Sequence, residues 1–467
     1  MSKTLITIII AVALIASLYL ASTRKRLFDK SQSPILAITG AMVVAGTNQP
    51  PLTDAVILIE GGKISRIFHE GEGAIPDRAQ VIKADGCTVI PGLIDCSVGL
   101  VIGSGGSAIS HHGFMPDRIV RDLRSTLYWG VTTVCSSEDP LPLIRRLRDN
   151  EREDLAAMPR LYISGPVLTA VGGWPAAFLP TQVAAESTRQ LNYHDQVEAV
   201  INDLAAENVD IIKVVYDGGN KLRQYPKLDP DMLGRLVEQA HGHGLRVSAQ
   251  MGTTQELKDA VRAGVDAVEH RSVDALDAEA IRLMTEHDIY YCPTLEARRI
   301  EAQSLEEIHD LLAREDVRLT VSAEVRASLA SRDSFLAELK RDMQSREYLN
   351  NVWDVSRGNL LKAARGGVKI ISGSGAGQPA VFHGLALHEE LRLMVEAGIS
   401  PAQALMACTR TAAEYIGADA VAGTLEVGKN ADVLILDRNP LEDITATKDI
   451  WQVIKGGRLI DRGQILR

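Results

Sequence analysis

The chain has 467 residues, 46% of them apolar and 24% charged, which is enough for one large domain and a small one. A net charge of −10, with no basic block beyond residue 30, excludes nucleic-acid binding as the organising function. The five cysteines (Cys87, Cys96, Cys135, Cys292 and Cys408) are widely spaced and form no CxxC pair. They read as reduced core thiols, not as a zinc or redox centre.

The first element is "TLITIIIAVALIASLYLA", residues 4–21, which carries no charge. As a helix it spans about 27 Å, close to the thickness of a bilayer core. Arg24, Lys25 and Arg26 follow it, against Lys3 before. This bias predicts a single-pass anchor, residues 1–30 with its basic flank, and a main domain on the cytoplasmic side. The alternative is a cleaved signal peptide and a secreted or periplasmic product. Its best cleavage point follows Ala21, which puts the bulky Tyr19 at the −3 place.

Residues 35–90 read as short strands, with Gly61 and Gly62 marking a hairpin between two alternating runs. From about 90 to 420 the pattern becomes apolar strand, then amphipathic helix, repeated. Strands are predicted at 89–98, 130–137, 160–168, 209–216, 246–250, 266–270, 289–295 and 368–374. One intervening helix begins with Asp229 as cap and Pro230 in the first turn, and it buries Met232, Leu233, Leu236, Val237 and Ala240. The charged stretch 296–355 reads as a helical insertion after the seventh strand, and strands return after 420. Eight strand–helix units predict an α/β fold, a (β/α)8 TIM barrel.

Several blocks carry a resemblance: "GCTVIPGLID", "GVTTV", "SGPVLTAVGG", "IIKVVYDGG", "AVRAGVDAVEH", "CPTL", "EAGISPAQALMACTRTAAEYIG" and "GTLEVGKNADVLILDRNPLEDI". Their order across residues 35–465 resembles the amidohydrolase superfamily, in its prolidase-like and imidazolonepropionase-like branch. The resemblance implies a barrel over 91–420 and a composite β-sandwich built from 31–90 and 421–467. It also implies homo-oligomerisation and one or two divalent metals at the C-terminal ends of the strands.

Carried over residue by residue, the implied metal ligands are mostly missing. The His-x-His after the first strand falls on Ser97 and Gly99, the carboxylated Lys on Lys213, and the fifth-strand His on Gln250. The sixth-strand His falls on His270 and the eighth-strand Asp on Gly375, while a His that commonly follows the double glycine is Trp174. A catalytic zinc takes three protein ligands and a water. Lys213 and His270 supply at most two. Lowering bound water from a pKa of 15.7 to about 7 is worth roughly 12 kcal/mol of hydroxide formation, and no visible residue replaces it.

Lys213 and His270 also have bland readings, as a paired interior lysine and a hydrogen-bonded core histidine. Alternation places the Cys96 thiol toward the helices, away from Ser97. His111 and His112 lie on the loop after the first strand and are candidate substitute ligands, though adjacent loop histidines are ordinarily solvated. "GSGGS" (103–107) lacks the Lys-Ser/Thr of a phosphate loop, and His383 reads as structural or as a vestige of substrate contact. No nucleophile–base pair for metal-free chemistry is visible.

The expectation is a membrane-anchored protein of amidohydrolase fold with a dismantled metal centre, a non-catalytic module for a small molecule or peptide-like ligand or a partner. Ser97, Gly99, Trp174, Lys213, Gln250, His270 and Gly375 mark its vestigial pocket. No cofactor is expected. The alternative is an active metal-dependent hydrolase of non-peptide C–N bonds or dipeptides, with an atypical site holding one divalent ion such as zinc.

Overall fold

The computed structural model describes residues 35–101, 116–153, 157–220, 223–271, 273–331 and 343–466. The expected anchor at 4–21, the glycine loop at 103–107, and His111 and His112 lie outside these residues. No described helix is long and apolar enough to cross a membrane.

The terminal segments share one eight-stranded sheet. It contains β1 (Leu36–Val43), β2 (Leu52–Glu60), β3 (Lys63–His69), β4 (Gln80–Lys83) and β5 (Thr88–Pro91). Its remaining strands come from the other end of the chain, at Val433–Leu436, Ile450–Lys455 and Arg458–Ile460. Val433–Leu436 pairs antiparallel with β5, which couples the two ends of the chain. Period-2 alternation explains its two buried faces. Leu36 and Ile38 of β1 pack on one side with Ile57 and Val433, while Ala37 packs on the other with Val56 and Leu58. Gly61 and Gly62 form the predicted hairpin, both with positive φ.

The run read as one strand over 89–98 is two. β5 ends at Pro91, and β6 (Leu93–Val98) starts a different, parallel sheet. Gly92 makes the break. Its N–H donates to the Asp432 carbonyl at 2.8 Å, and a Cβ there would stand 2.2 Å from the Thr132 hydroxyl oxygen.

β6, β7 (Val131–Ser136) and β8 (Arg160–Ile163) form a three-stranded parallel sheet. A seven-stranded one contains β9 (Val167–Ala170), β10 (Thr188–Leu191), β11 (Ile211–Val215), β12 (Arg246–Met251), β13 (Ala267–His270), β14 (Tyr290–Cys292) and β15 (Lys369–Ile370). Backbone hydrogen bonds join the two sheets on both sides. Asp210 N–H donates to the Ile163 carbonyl at 2.8 Å; Cys96 donates to Ser372 and Gly375 to Ser97, each at 3.0 Å. Helices separate these strands except β8 from β9: the run read as one strand over 160–168 is two, in different sheets. In Pro230–Gly242 the Asp229 carboxylate accepts from Met232 N–H at 2.8 Å, and the predicted apolar face is buried. Between β14 and β15 the described residues are mostly helical, including Leu295–Ala302, Leu305–Ala313, Ala323–Ala330 and the 23-residue Met343–Arg365.

Candidate active site and its vacant ligand positions

The strand interior holds a polar network. Lys213 on β11 donates to one carboxylate oxygen of Glu269 on β13, and the Ser97 hydroxyl on β6 donates to the other at 3.1 Å. The side chain of Lys213 is 1% exposed and that of Glu269 12%. Ser97 is tied in turn to Asp95, whose carboxylate accepts from Ser97 N–H at 3.3 Å, Ser374 N–H at 2.9 Å and the Ser374 hydroxyl at 2.5 Å. Burial raises the Asp95 carboxyl to about 6, against the lowering effect of the Ser374 bonds.

Alternation explains which side chains meet. Ala267 and Glu269 project to the face that carries Ile211, Lys213 and Cys292, while Val268 and His270 project to the other. His270 is fully buried, 6.4 Å from Tyr291 between ring centroids, with its imidazole lowered to about 4 by burial. Of the two family ligands retained in the sequence, only Lys213 faces the network. His270 faces away from it, toward the Gly252 backbone and Asp274.

Cys96 corrects the alternation argument in the other direction. Its thiol packs with Ile94, Cys135, Ile211, Cys292 and Ile371 on the interior side. The cause is a register shift between Asp95 and Val98 in the β6–β7 pairing, which breaks the period of two and turns Cys96 and Ser97 to the same side. Burial pushes the Cys96 thiol well above its usual range, so it is a poor thiolate ligand.

The other predicted positions are distributed as follows. Gln250 is the register partner of Val215 and Glu269, and so neighbours the ion pair. Gly99 donates to the Ala376 carbonyl at 2.8 Å and accepts from His383 Nε2 at 2.9 Å, which makes His383 a loop stitch. Gly375 has φ +66°, and a Cβ there would lie 2.9 Å from that of Ala297. Trp174 joins an aromatic group, 4.8 Å from Phe178 and 6.1 Å from Tyr225 between ring centroids. The Arg271 guanidinium stacks over Trp174 at 5.1 Å and reaches Asp217 at 3.5 Å. Trp174 thus belongs to an aromatic and cationic group and contributes no ligand.

Sequence reasoning missed Glu269. The signal was present in "DAVEH", where alternation from Ala267 selects Glu269 and not His270 for the interior. It also missed Glu138, which follows β7 with φ +66° and whose carboxyl, raised by burial, is drawn down by Lys213. Its left-handed backbone has no sequence signature.

The divalent metals implied by the resemblance do not fit this donor set. Ser97 and Lys213 are engaged by Glu269, His270 faces away, and neither Gly99 nor Gly375 has a donor side chain. Among the described residues no group of three His, Cys, Asp or Glu is placed to hold a metal ion. The Ser97–Glu269 contact is a hydroxyl–carboxylate pair that the sequence did not reveal. Its other oxygen is held by the Lys213 ammonium, so both carboxylate oxygens are engaged within the network.

The helix that follows β14 is capped from outside. Thr294 provides no side-chain cap to Leu295–Ala302; instead the buried Glu390 accepts from Glu296 N–H at 2.6 Å. Burial raises the Glu390 carboxyl from 4.5 to about 8. A carboxyl raised on folding contributes stability below its unfolded value, and that stability is lost as pH rises from 4.5 toward 8. Glu390→Gln is therefore expected to flatten the fall in melting temperature between pH 5 and 8, measured by calorimetry. An unchanged slope would contradict this.

Residues 88–460 match the sequence pattern of the amidohydrolase family. An uncharacterised protein of Mycobacterium tuberculosis is 26% identical over 403 residues, covering 85% of this chain and 90% of that protein. Ochratoxinase of Aspergillus niger is 28% identical over 328 residues, covering 64% of this chain and 60% of the enzyme. Among solved structures, a Xaa-Pro dipeptidase with bound methionine superposes with a TM-score of 0.73 at 24% identity, covering 91% of this chain and 99% of the other. A. niger ochratoxinase gives 0.73 at 22% identity, over 91% and 95%.

Proposed function

The chain belongs to the amidohydrolase family, and from that premise we propose that it is a member without metal-dependent hydrolysis, a binding module for a small or peptide-like ligand. In this reading the two joined parallel sheets are the family's closed (β/α)8 barrel, and the terminal sheet is part of its composite β-sandwich. The observation that carries the reading is the Lys213–Glu269–Ser97 network at the place where metal ligands would converge. An ammonium paired to a carboxylate offers a cation no donor. The atypical mononuclear hydrolase is disfavoured on the same ground, because its sixth-strand ligand, His270, lies on the opposite face. The test is turnover of dipeptides and N-acyl amino acids with and without added zinc or manganese. No metal-stimulated hydrolysis is expected; turnover that follows metal loading would overturn the reading.

We further propose that residues 4–21 anchor the chain with the main domain on the cytoplasmic side. The uncharged 18-residue run and the Arg24–Lys25–Arg26 flank support this. Deleting residues 1–26 should move the protein from the membrane fraction to the supernatant, folded. A native chain found membrane-free and shortened near Ala21 would instead establish signal cleavage.

A further inference from the structure

Glu138 stands apart from the other carboxylates near the C-terminal ends of the parallel strands. Asp95 is held by Ser374, and Glu269 by Lys213 and Ser97. Asp139 accepts from Leu100 N–H at 3.1 Å, from Val101 N–H at 2.8 Å and from the Ser136 hydroxyl. Glu138, two residues beyond β7, makes no hydrogen bond or ion pair with the described residues. Its backbone has φ +66°, a region that glutamate seldom enters without a constraint. The bonds of Asp139 to the loop after β6 supply that constraint. The half-buried Glu138 side chain lies in the fields of Lys213, Glu269 and Arg271. Lys213 is already matched by Glu269.

Arg271, the first residue after β13, is the complementary case, with a side chain 25% exposed. Its guanidinium reaches Asp217 only at 3.5 Å and Glu301 at 4.0 Å, whereas guanidinium–carboxylate bonds close to about 2.7–2.9 Å. Both carboxylates have nearer donors, Gly219 N–H at 2.7 Å for Asp217 and Arg298 at 2.5 Å for Glu301. Trp174 lies against the other side of the guanidinium and joins Phe178 and Tyr225.

We propose that Glu138 and Arg271 hold the two ends of a small zwitterion, an unblocked amino acid or dipeptide with an aromatic or large apolar side chain. The Glu138 carboxylate accepts from its ammonium, the Arg271 guanidinium donates to its carboxylate, and the Trp174 group packs on its side chain. The inference rests on the ligand-binding reading above and names the chemistry of the ligand. A ligand with only negative charge would face Glu138, and one with only positive charge would face Arg271. A zwitterion satisfies both, so the pair selects against either half-blocked form.

Titration calorimetry of the full-length chain tests this with phenylalanine and alanyl-phenylalanine, each free, N-acetylated and C-amidated. In the wild type either block should weaken the tighter-binding probe at least about 10-fold, because each removes one charged hydrogen-bonding end. Glu138→Gln should abolish the cost of acetylation and keep that of amidation, and Arg271→Gln should do the reverse. Weakening of all probes alike, with both ratios as in the wild type, would show that these residues only shape the fold and would overturn the proposal. Where a variant does not fold, the wild-type ratios decide alone. Equal affinity for free and blocked probes, or no saturable binding of either free probe below about 10 mM, overturns it. Turnover of alanyl-phenylalanine on zinc loading would sink the metal-free reading instead. Phenylalanine has no bond to hydrolyse and reports the charge selectivity in either case.

Discussion

Replacing Glu269 by Ala alone will lower stability by about 3–5 kcal/mol, because it removes the ion-pair partner of the buried Lys213 ammonium. The Lys213 side chain is 1% exposed, so water cannot take over the missing contact. The same change strips the Ser97 hydroxyl of its acceptor, at an additional cost of about 1 kcal/mol. The double variant Lys213→Met, Glu269→Leu removes both charges while filling similar volume. Buried pairs exchanged for apolar residues are often neutral, so the double variant should recover most of the loss. Urea unfolding of wild type, both singles and the double forms a thermodynamic cycle. A coupling near zero would mean that Lys213 and Glu269 act independently, which the geometry does not allow.

Grafting the family's missing ligands onto this chain will fail. The quadruple variant Ser97→His, Gly99→His, Gln250→His, Gly375→Asp supplies the residue types that the resemblance implies, yet three features oppose it. Gly375 has φ +66°, and its Cβ would press on Ala297. Ser97 sits against the space that Gly373 leaves open, so an imidazole there overpacks the interior. His270 still faces away from the network, and Glu269 still holds Lys213. Overpacking alone costs about 1–3 kcal/mol. The variant is expected to melt well below the wild type and to take up no tightly bound zinc in equilibrium dialysis. Tight binding of one or two ions by a folded quadruple variant would show that His270 and Lys213 can turn to a common centre.

Much of the fold was legible in the chain's periodicity. The Asp229-capped helix, the Gly61–Gly62 hairpin and most of the parallel strands follow from local pattern, because capping, turn chemistry and amphipathic spacing act over a few residues; the strand Thr188–Leu191 was not read. The division of 89–98 into two strands was not legible. Apolar residues run through it without a break, and the reason for the break is a tertiary approach of Thr132 to Gly92. The site divides in the same way. The loss of donors at Ser97, Gly99, Gln250 and Gly375 is a matter of residue type and can be read directly. The direction of a side chain is a matter of register, and here it decided the chemistry. Strict alternation would have selected Glu269 over His270, and the resemblance to a histidine ligand pointed the other way. For Cys96 the reverse held, since a bulge in β6 broke the alternation itself. The external cap of Leu295–Ala302 by Glu390 joins residues far apart in the chain, and no local signal announces it.

Metal content of the native protein, purified without chelator and measured by elemental analysis, tests the central claim most directly. The geometry predicts well under one equivalent of zinc, manganese, iron or nickel per chain, and a melting temperature that does not change on dialysis against a chelator. One or two equivalents of bound metal, with stability or a hydrolytic activity lost on their removal, would contradict it.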